Sequence, residues 1–188
     1  MDKFKNKYRI SSARLATWDY SNPGLYFITI CTQSRINFFG EIVNDEMYLN
    51  EIGKIADKFW GEIPDHFQNV ELGEFVVMPN HVHGIIIINE SPVIVETGYA
   101  LSLPKQITNN KSTHPRFRNQ GKNTISSMVG SFKSAVTKFA HSIDPGFGWQ
   151  SRFYDHIIRS LDDYIRITNY IAHNPENWKE DKFYNQPT

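Results

Sequence analysis

The chain has 188 residues, of which 40% are hydrophobic and 21% charged, a composition that excludes a disordered or fibrous chain and suits one globular domain spanning 1–188. Twenty basic and twenty acidic residues give a formal net charge of +0, so the overall charge indicates no polyanionic partner. The lone cysteine excludes an intramolecular disulfide, and apolar runs no longer than tetrads predict a cytoplasmic protein without a membrane partner.

The chain begins with a predicted basic arm over residues 1–20. Residues 1–14 contain five lysines and arginines, including Arg9 and Arg14, against the single acidic residue Asp2. A second segment, 97–143, contains seven basic residues and no acidic one. Such segregated charge is compatible with binding to a phosphate backbone, and it is also typical of a solvated arm and loop.

The first half of the chain predicts strands and one helix. Residues 25–32 (LYFITICT) are rich in β-branched and aromatic residues, which favours a buried strand. A hairpin turning at Asn44 and Asp45 follows, and then a helix capped by Asn50. Residues 70–78 and 81–89 predict an antiparallel strand pair that turns at Pro79 and Asn80.

The second half begins with a long polar loop, 90–122, which has no sustained apolar period. The buried stripe of the next helix is predicted from six apolar residues at helical spacing: Ile125, Met128, Val129, Phe132, Val136 and Phe139. Residues 152–159 predict a short strand, and Ser160 with Asp163 predicts the start of a last helix. Its core stripe is predicted to contain Leu161, Tyr164, Ile165, Thr168, Ile171 and Ala172.

The order β, hairpin, α, β, β, α, β, α predicts the fold class. It indicates an α+β domain of the ferredoxin-like type, with a split β-α-β antiparallel sheet and helices on one face. The last helix is an addition to that arrangement at the C-terminal end.

Two histidines occupy alternate positions of a predicted strand. Because strand side chains alternate between faces, His81 and His83 point the same way, with Cα atoms roughly 7 Å apart. Neutral imidazole is a common metal ligand, so the pair could share one cation. Two histidines at a strand start that hydrogen-bond to neighbouring carbonyls would give the same pattern.

A tyrosine and an asparagine lie one turn apart on the last helix. Tyr170 falls roughly 160° from the centre of the predicted core stripe, on the same strip as Asn174. A phenol oxygen beside a divalent cation can attack a phosphodiester and be held as a phosphotyrosine. The asparagine offers a carbonyl oxygen, which suits Mg²⁺ or Mn²⁺. An amphipathic surface tyrosine and an asparagine that ends the helix before Pro175 are the alternative interpretation.

Three segments together resemble a known family. MPNHVHGIIII (78–88), GWQSRFYDHIIRS (148–160) and DDYIRITNYIAHNP (162–175) resemble the single-tyrosine HUH transposases, especially the REP-associated tyrosine transposases. The resemblance runs from about residue 8 to residue 178. It implies that His81 and His83 bind a divalent ion, Mg²⁺ or Mn²⁺, that Tyr170 is the nucleophile, and that Asn174 takes the place of the third ligand, where many relatives have glutamine.

The resemblance also implies a reaction and a partner. The expected reaction is strand transfer on single-stranded DNA beside a hairpin, through a 5′-phosphotyrosine and a free 3′-hydroxyl, by a monomer or a homodimer. The candidates for DNA contact are basic, aromatic and polar residues: Arg9, Arg14, Arg116, Arg118, Lys122, Lys133, Trp149, Gln150, Arg152 and His156.

Three other functions remain open at this point. A replication initiator or relaxase of the HUH type shares the nicking chemistry but usually has further domains. A non-catalytic ferredoxin-like module would hold nucleic acid on its sheet without cutting it. A metal-dependent hydrolase would use water as the nucleophile, and a Tyr170 buried far from the two imidazoles would favour it.

Overall fold

The structure is a computed structural model that describes residues 18–90 and 123–184 and the backbone of a short antiparallel strand pair, β1 (Lys3–Phe4) and β2 (Lys7–Tyr8). Within those ranges, no helix combines the length and the apolarity that crossing a membrane requires. Most of the predicted arm 1–20 and of the predicted loop 90–122 lies outside the described residues. The same holds for five candidate DNA contacts: Arg9, Arg14, Arg116, Arg118 and Lys122.

The remaining elements follow the predicted order. The strands are β3 (Gly24–Cys31), β4 (Gly40–Val43), β5 (Glu46–Leu49), β6 (Val70–Met78), β7 (His81–Ile88) and β8 (Tyr154–Ile158). The helices are α1 (Glu51–Gly61), α2 (Ile63–His66), α3 (Ile125–Ala140) and α4 (Leu161–Ala172). Two single 3₁₀ turns, Gln33–Arg35 and Trp178–Glu180, complete the list.

Four strands form the central sheet in the order β6-β7-β3-β8, and every neighbouring pair is antiparallel. With α1 between β3 and β6, and α3 between β7 and β8, this is the split β-α-β order of a ferredoxin-like sheet. The predicted fold class is therefore confirmed. Strands β4 and β5 form a separate hairpin beside it.

Short-range signals in the sequence account for the turns and helix starts. Asn44 and Asp45 have φ values of 52° and 64°, the left-handed conformations that a two-residue type I′ hairpin turn requires. The Asn50 side chain accepts a hydrogen bond from the backbone N–H of Gly53 at 2.9 Å and so caps α1. Ser160 caps α4 in the same way, by accepting from the backbone N–H of Asp163 at 3.1 Å.

Alternate side chains of β3 point to two different apolar layers. Tyr26, Ile28 and Ile30 are fully buried in the layer that α1 and α3 cover. In that layer Trp60 of α1 lies against Phe132 of α3, with ring centroids 5.3 Å apart. The predicted stripe of α3 is buried as expected except for Phe139, which is 45% exposed because it lies in the last turn of the helix. Its ring packs against Phe59, with centroids 5.3 Å apart.

Helix α4 packs on the opposite face of the sheet. Its buried residues are Ile167 and Ile171, which meet Phe27, Ile85 and Ile158 from three neighbouring strands. The predicted core stripe of α4 is therefore wrong for three of its six members, since Leu161 is 70% and Ile165 48% exposed and Ala172 is exposed as well. Ile171 is buried as predicted, and Tyr164 packs against the same cluster. Apolar residues occur around much of this helix, so its periodicity alone does not define the side that the sheet covers.

Candidate functional site

The two predicted histidines lie together at the start of β7, on the same side of the sheet as α4. Their ring centroids are 4.4 Å apart, and the imidazoles are almost fully buried, at 0% exposure for His81 and 1% for His83. Across the sheet, β3 presents Cys31 opposite His81 and Thr29 opposite His83. The alternation of side chains along the strand therefore places both imidazoles on one face, as the sequence predicts.

Hydrogen bonds fix the tautomer of His81. Asn80 donates through Nδ2 to the carbonyl oxygens of Arg35 (3.1 Å) and Phe183 (2.9 Å), so its amide orientation is determined and its Oδ1 faces the imidazole. That oxygen is 2.9 Å from Nδ1 of His81, and because it can only accept, Nδ1 carries the proton. The lone pair is then on Nε2 of His81, a buried atom without a hydrogen-bond partner.

His83 is held in a comparable way. Its Nδ1 is 2.8 Å from the hydroxyl of Thr29, and its Nε2 is 3.1 Å from the hydroxyl of Tyr170. Burial lowers the pKa of His81 to about 3, helped by the nearby charges of Lys182 and Arg35. Burial and the neighbouring His81 lower the pKa of His83 as well. Both imidazoles are therefore neutral at physiological pH, which is the form that binds metal ions.

Tyr170 reaches the histidines from the last turns of α4. Its ring packs edge-on against His83, with centroids 5.2 Å apart, and the side chain remains 38% exposed. The prediction that Tyr170 lies opposite the buried face of α4 is wrong. It adjoins the buried face formed by Ile167 and Ile171, and this position directs its hydroxyl onto the sheet.

Asp181 is the residue of this site that the sequence analysis missed. It follows the 3₁₀ turn Trp178–Glu180, and its Oδ2 accepts hydrogen bonds from the Tyr170 hydroxyl at 3.0 Å and from Nδ2 of Asn174 at 3.1 Å. Its other oxygen accepts from the backbone N–H of Phe183 at 2.6 Å. A lone aspartate after the last helix belongs to no recognisable motif. The sequence signal available for this segment is the pair of flanking aromatic residues, Trp178 and Phe183, which favours packing of the segment against the domain.

The carboxylate of Asp181 also affects the phenol of Tyr170. Burial raises the pKa of the Tyr170 phenol well above its usual range, and the charge of Asp181 and its hydrogen bond to the hydroxyl raise it further. The phenol therefore keeps its proton, and two possible acceptors for that proton, Asp181 and His83, lie within hydrogen-bond distance.

The polar atoms of the site fit a cation. The ligand atoms of His81, His83 and Asp181 all lie within 4.8 Å of one another. Oδ1 of Asn174, the predicted third ligand, is a second buried polar atom without a hydrogen-bond partner. Two neutral imidazoles with a carboxylate and an amide oxygen form a donor set suited to a divalent transition metal such as Mn²⁺.

Aromatic side chains cover the other side of the histidines. The ring of Phe183 lies 4.6 Å from that of His81 and 5.8 Å from that of His83, while Trp178 lies 6.0 Å from His81. Trp178 and Phe183 form a buried cluster with Cys31 and Met78. Cys31 packs in this cluster as a free thiol, and burial raises its pKa.

Beside Tyr170 the sheet face is open. A cleft of about 390 Å³ lies between β8, α4 and the segment around Asp181. Its walls carry aromatic, apolar and charged side chains: Phe27, Tyr154, His156, Arg166, Ile167, Tyr170, Glu180, Asp181 and Lys182. Among the candidate DNA contacts that the structure describes, His156 alone lines this cleft. Its Nε2 lies 2.8 Å from Oδ2 of Asp163.

Three other candidates lie together on the α3 side of the sheet. The ring of Trp149 packs between Phe39 and Phe132 in the first apolar layer, and its Nε1 donates to the carbonyl of Lys133. Lys133 donates through Nζ to the carbonyl of Gln150 at 2.6 Å. Together they line a shallow groove, separated by the sheet from the histidines. Arg152 is exposed shortly before β8.

Two relatives are similar to the chain in sequence. No family model matches the chain. An uncharacterised protein of Haemophilus influenzae is 38% identical over 174 residues, covering 92% of each chain. A second protein of the same organism, assigned as a REP-associated tyrosine transposase, is 23% identical over 164 residues, covering 84% of this chain and 73% of that one.

A solved structure shares the fold. It is a REP-associated tyrosine transposase bound to a REP hairpin, with a TM-score of 0.56 at 21% identity, covering 92% of this chain and 77% of that one. The resemblance found in the sequence motifs is thus confirmed, by similarity in sequence to one such protein and in fold to another.

Proposed function

Because the chain shares its fold with a REP-associated tyrosine transposase, we propose that it is a transposase that nicks and rejoins single-stranded DNA near hairpins, through a 5′-phosphotyrosine intermediate. The observation that carries the proposal is the approach of the Tyr170 hydroxyl to within 3.1 Å of Nε2 of His83. A nucleophile and a pair of neutral imidazoles thus meet within a single chain, so each protomer can use its own tyrosine.

Tyr170 and Asp181 perform the covalent step. The Tyr170 oxygen attacks the scissile phosphorus, and the bond from phosphorus to the 3′-oxygen breaks. The departing 3′-oxygen takes a proton from solvent water and becomes a hydroxyl. Oδ2 of Asp181, 3.0 Å from the Tyr170 hydroxyl, receives the phenolic proton. Attack by a 3′-hydroxyl on the phosphotyrosine reverses the step and rejoins a strand, so no nucleotide hydrolysis is required.

His81, His83 and Asn174 would hold a divalent cation, Mg²⁺ or Mn²⁺, and the carboxylate of Asp181 lies close enough to the imidazoles to be a further ligand. Bound there, the cation supplies Lewis-acid stabilisation of the negative charge that develops on the phosphate oxygens. The lone pair on Nε2 of His81 and the unpaired Oδ1 of Asn174 support this ligand set. A positive charge at this position also opposes the effect of Asp181, which raises the pKa of the Tyr170 phenol.

A DNA hairpin is the proposed partner, because the structurally similar transposase is bound to one. His156 lies in the cleft beside Tyr170 and is the best-placed of the candidate contacts. The other described candidates lie away from this cleft. A bound DNA strand would have to pass around the edge of the sheet to reach Lys133, Trp149 and Gln150, and Arg152 lies shortly before the edge strand β8.

The geometry disfavours the hydrolase alternative, which expects Tyr170 far from the imidazoles. A non-catalytic binding module has no need for a buried pair of neutral histidines beside a phenol. An HUH nickase of the replication type shares the chemistry proposed here and differs in the DNA that it processes.

The proposal is tested by incubating a hairpin-bearing DNA single strand with the protein and Mn²⁺ and separating the products on a denaturing gel. A DNA–protein adduct should form with the native protein and be absent with Tyr170→Phe and with His81→Ala. Tyr164→Phe, a change on the same helix, is the matched control and should leave the adduct. An adduct that persists in Tyr170→Phe would refute the assigned nucleophile.

A further inference from the structure

We infer that the cleft beside Tyr170 is a subsite for one unpaired nucleotide next to the scissile phosphate, with Tyr154 as the platform for its base and with Arg166 and Lys182 as the cations for its phosphate. The inference rests on the proposed function, since it names how the DNA strand is held at that site.

The register of the sheet places Tyr154 in line with the catalytic groups. Thr29 of β3 pairs with His83 on one side and with Tyr154 on the other. Neighbouring strands lie ~4.8 Å apart, so the backbones at His83 and Tyr154 are roughly 10 Å apart. Tyr154 and the tyrosine nucleophile pack edge-on against the same ring, Phe27, and both line the cleft.

The Tyr154 side chain has the exposure that a stacking platform requires. It is 51% exposed, and its ring is supported edge-on by Phe27, with centroids 6.4 Å apart. Among the exposed aromatic residues of the described chain it alone lines the cleft with Tyr170, whereas Tyr48 lies on the β4–β5 hairpin. A half-exposed aromatic ring fixed on a strand can stack on any unpaired base, because every base has a π-face.

Two cations flank this ring. Nζ of Lys182 lies 5.9 Å from the centre of the Tyr154 ring, and Arg166 of α4 lines the same cleft. Arg166 donates to Oδ1 of Asp163, whose Oδ2 is 2.8 Å from Nε2 of His156. This contact uses one of the five N–H donors of the guanidinium, so the others remain for a phosphate.

The shape and charge of the cleft suit a nucleotide within a strand. Its volume of about 390 Å³ is in the range of ligand sites, ~300–1,000 Å³, and it is open to solvent, so a strand can enter and leave. The two wall carboxylates are Glu180, which is exposed, and Asp181, which faces the histidines and Tyr170. Within the part of the chain that the structure describes, neither Arg166 nor Lys182 forms an ion pair with these two carboxylates, and Arg166 pairs with Asp163.

The test measures binding rather than cleavage, so its outcome is separate from that of the adduct assay. The probe is a fluorescent DNA hairpin with single-stranded thymidine flanks, titrated by anisotropy in EDTA, together with a series in which one flank base at a time is replaced by an abasic site. Tyr154→Ala should weaken binding by about 5- to 100-fold. Tyr154→Phe should bind as the native protein does, and so should the matched control Tyr48→Ala.

Two further readouts make the assignment specific. One abasic position should weaken binding to the native protein and have no further effect on Tyr154→Ala, because the base and the ring form one contact. Arg166→Gln and Lys182→Gln should each lower the slope of log Kd against log salt by about 0.7, as expected for one lost phosphate contact to a single strand.

Any of three results would overturn the inference. Tyr154→Ala could bind the hairpin as tightly as the native protein, or every abasic site could weaken binding to Tyr154→Ala as much as it weakens binding to the native protein. The third is an unchanged slope of log Kd against log salt in both Arg166→Gln and Lys182→Gln. Failure of the native protein to form a covalent adduct would refute the proposed nicking activity and leave these binding results standing.

Discussion

Substitution of Asn80 tests whether the orientation and tautomer of His81 determine the affinity of the site for a divalent cation. The side chain is fully buried and makes three contacts, to Nδ1 of His81 at 2.9 Å and to the carbonyls of Arg35 and Phe183 at 3.1 and 2.9 Å. Asn80→Ala removes all three. His81 then loses the acceptor that keeps the proton on Nδ1 and the lone pair on Nε2.

The size of the effect follows from that role. Loss of a partner that orients a metal-binding histidine typically lowers metal affinity by about 10- to 100-fold, equivalent to about 1.4–2.8 kcal/mol. The two carbonyls left unpaired also lower the free energy of unfolding by about 1–3 kcal/mol each. We therefore expect Asn80→Ala to bind Mn²⁺ weakly and to unfold at lower urea concentration.

Isothermal titration with Mn²⁺ measures the affinity under conditions where urea titration shows that the variant is folded. The control is Asn50→Ala, which removes the cap of α1 and should cost about 1 kcal/mol of stability without changing the affinity for Mn²⁺. Native-like Mn²⁺ affinity in Asn80→Ala would refute the argument that this amide fixes the tautomer of His81.

Three predictions concern stability, each measured by urea or thermal unfolding in EDTA. Gly84→Ala places a Cβ 2.3 Å from the Trp60 ring and should lower the free energy of unfolding by about 1–3 kcal/mol. Gly130→Ala in α3, whose new Cβ meets no atom within 4 Å, should raise it by about 0.5–1 kcal/mol. Equal effects of the two substitutions would contradict the packing described for β7. Ile171→Ala, at a fully buried position, should cost about 2–5 kcal/mol and reduce adduct formation, and a neutral result would mean that α4 is not docked through this face. Burial lowers the pKa of His81 to about 3 in the folded state, against ~6.5 in the unfolded state. The unfolded state therefore binds more protons between these values, and His81 alone should lower the free energy of unfolding by about 1.4 kcal/mol per pH unit as the pH drops through that window. His83, whose pKa is also lowered, acts in the same direction, and a flat profile would contradict the burial of neutral imidazoles.

The sequence was informative where the signal is local. The alternation of His81 and His83 along a strand fixes their common face, and the spacing of strands and helices indicates the ferredoxin-like order. The positive-φ residues of the β4–β5 turn and the caps Asn50 and Ser160 lie where their residue types predict, because each acts through contacts a few residues away.

The sequence was less informative where long-range packing decides. The buried face of α4 depends on which of several apolar residues the sheet covers, and the sheet selects Ile167 and Ile171 over Leu161 and Ile165. Asp181 enters the site only because Phe183 docks on the histidines. Neither contact leaves a periodic pattern in the sequence.

The most direct test of the central claim locates the covalent bond. After reaction of the native protein with a hairpin-bearing DNA single strand and Mn²⁺, the adduct is digested with nuclease and trypsin and analysed by mass spectrometry. Cleavage after Arg166 and Lys179 releases peptide 167–179, in which Tyr170 is the single tyrosine. We expect the mass of a nucleotide 5′-phosphate on Tyr170 in this peptide; the same modification on another residue, with Tyr170 unmodified, would contradict the account.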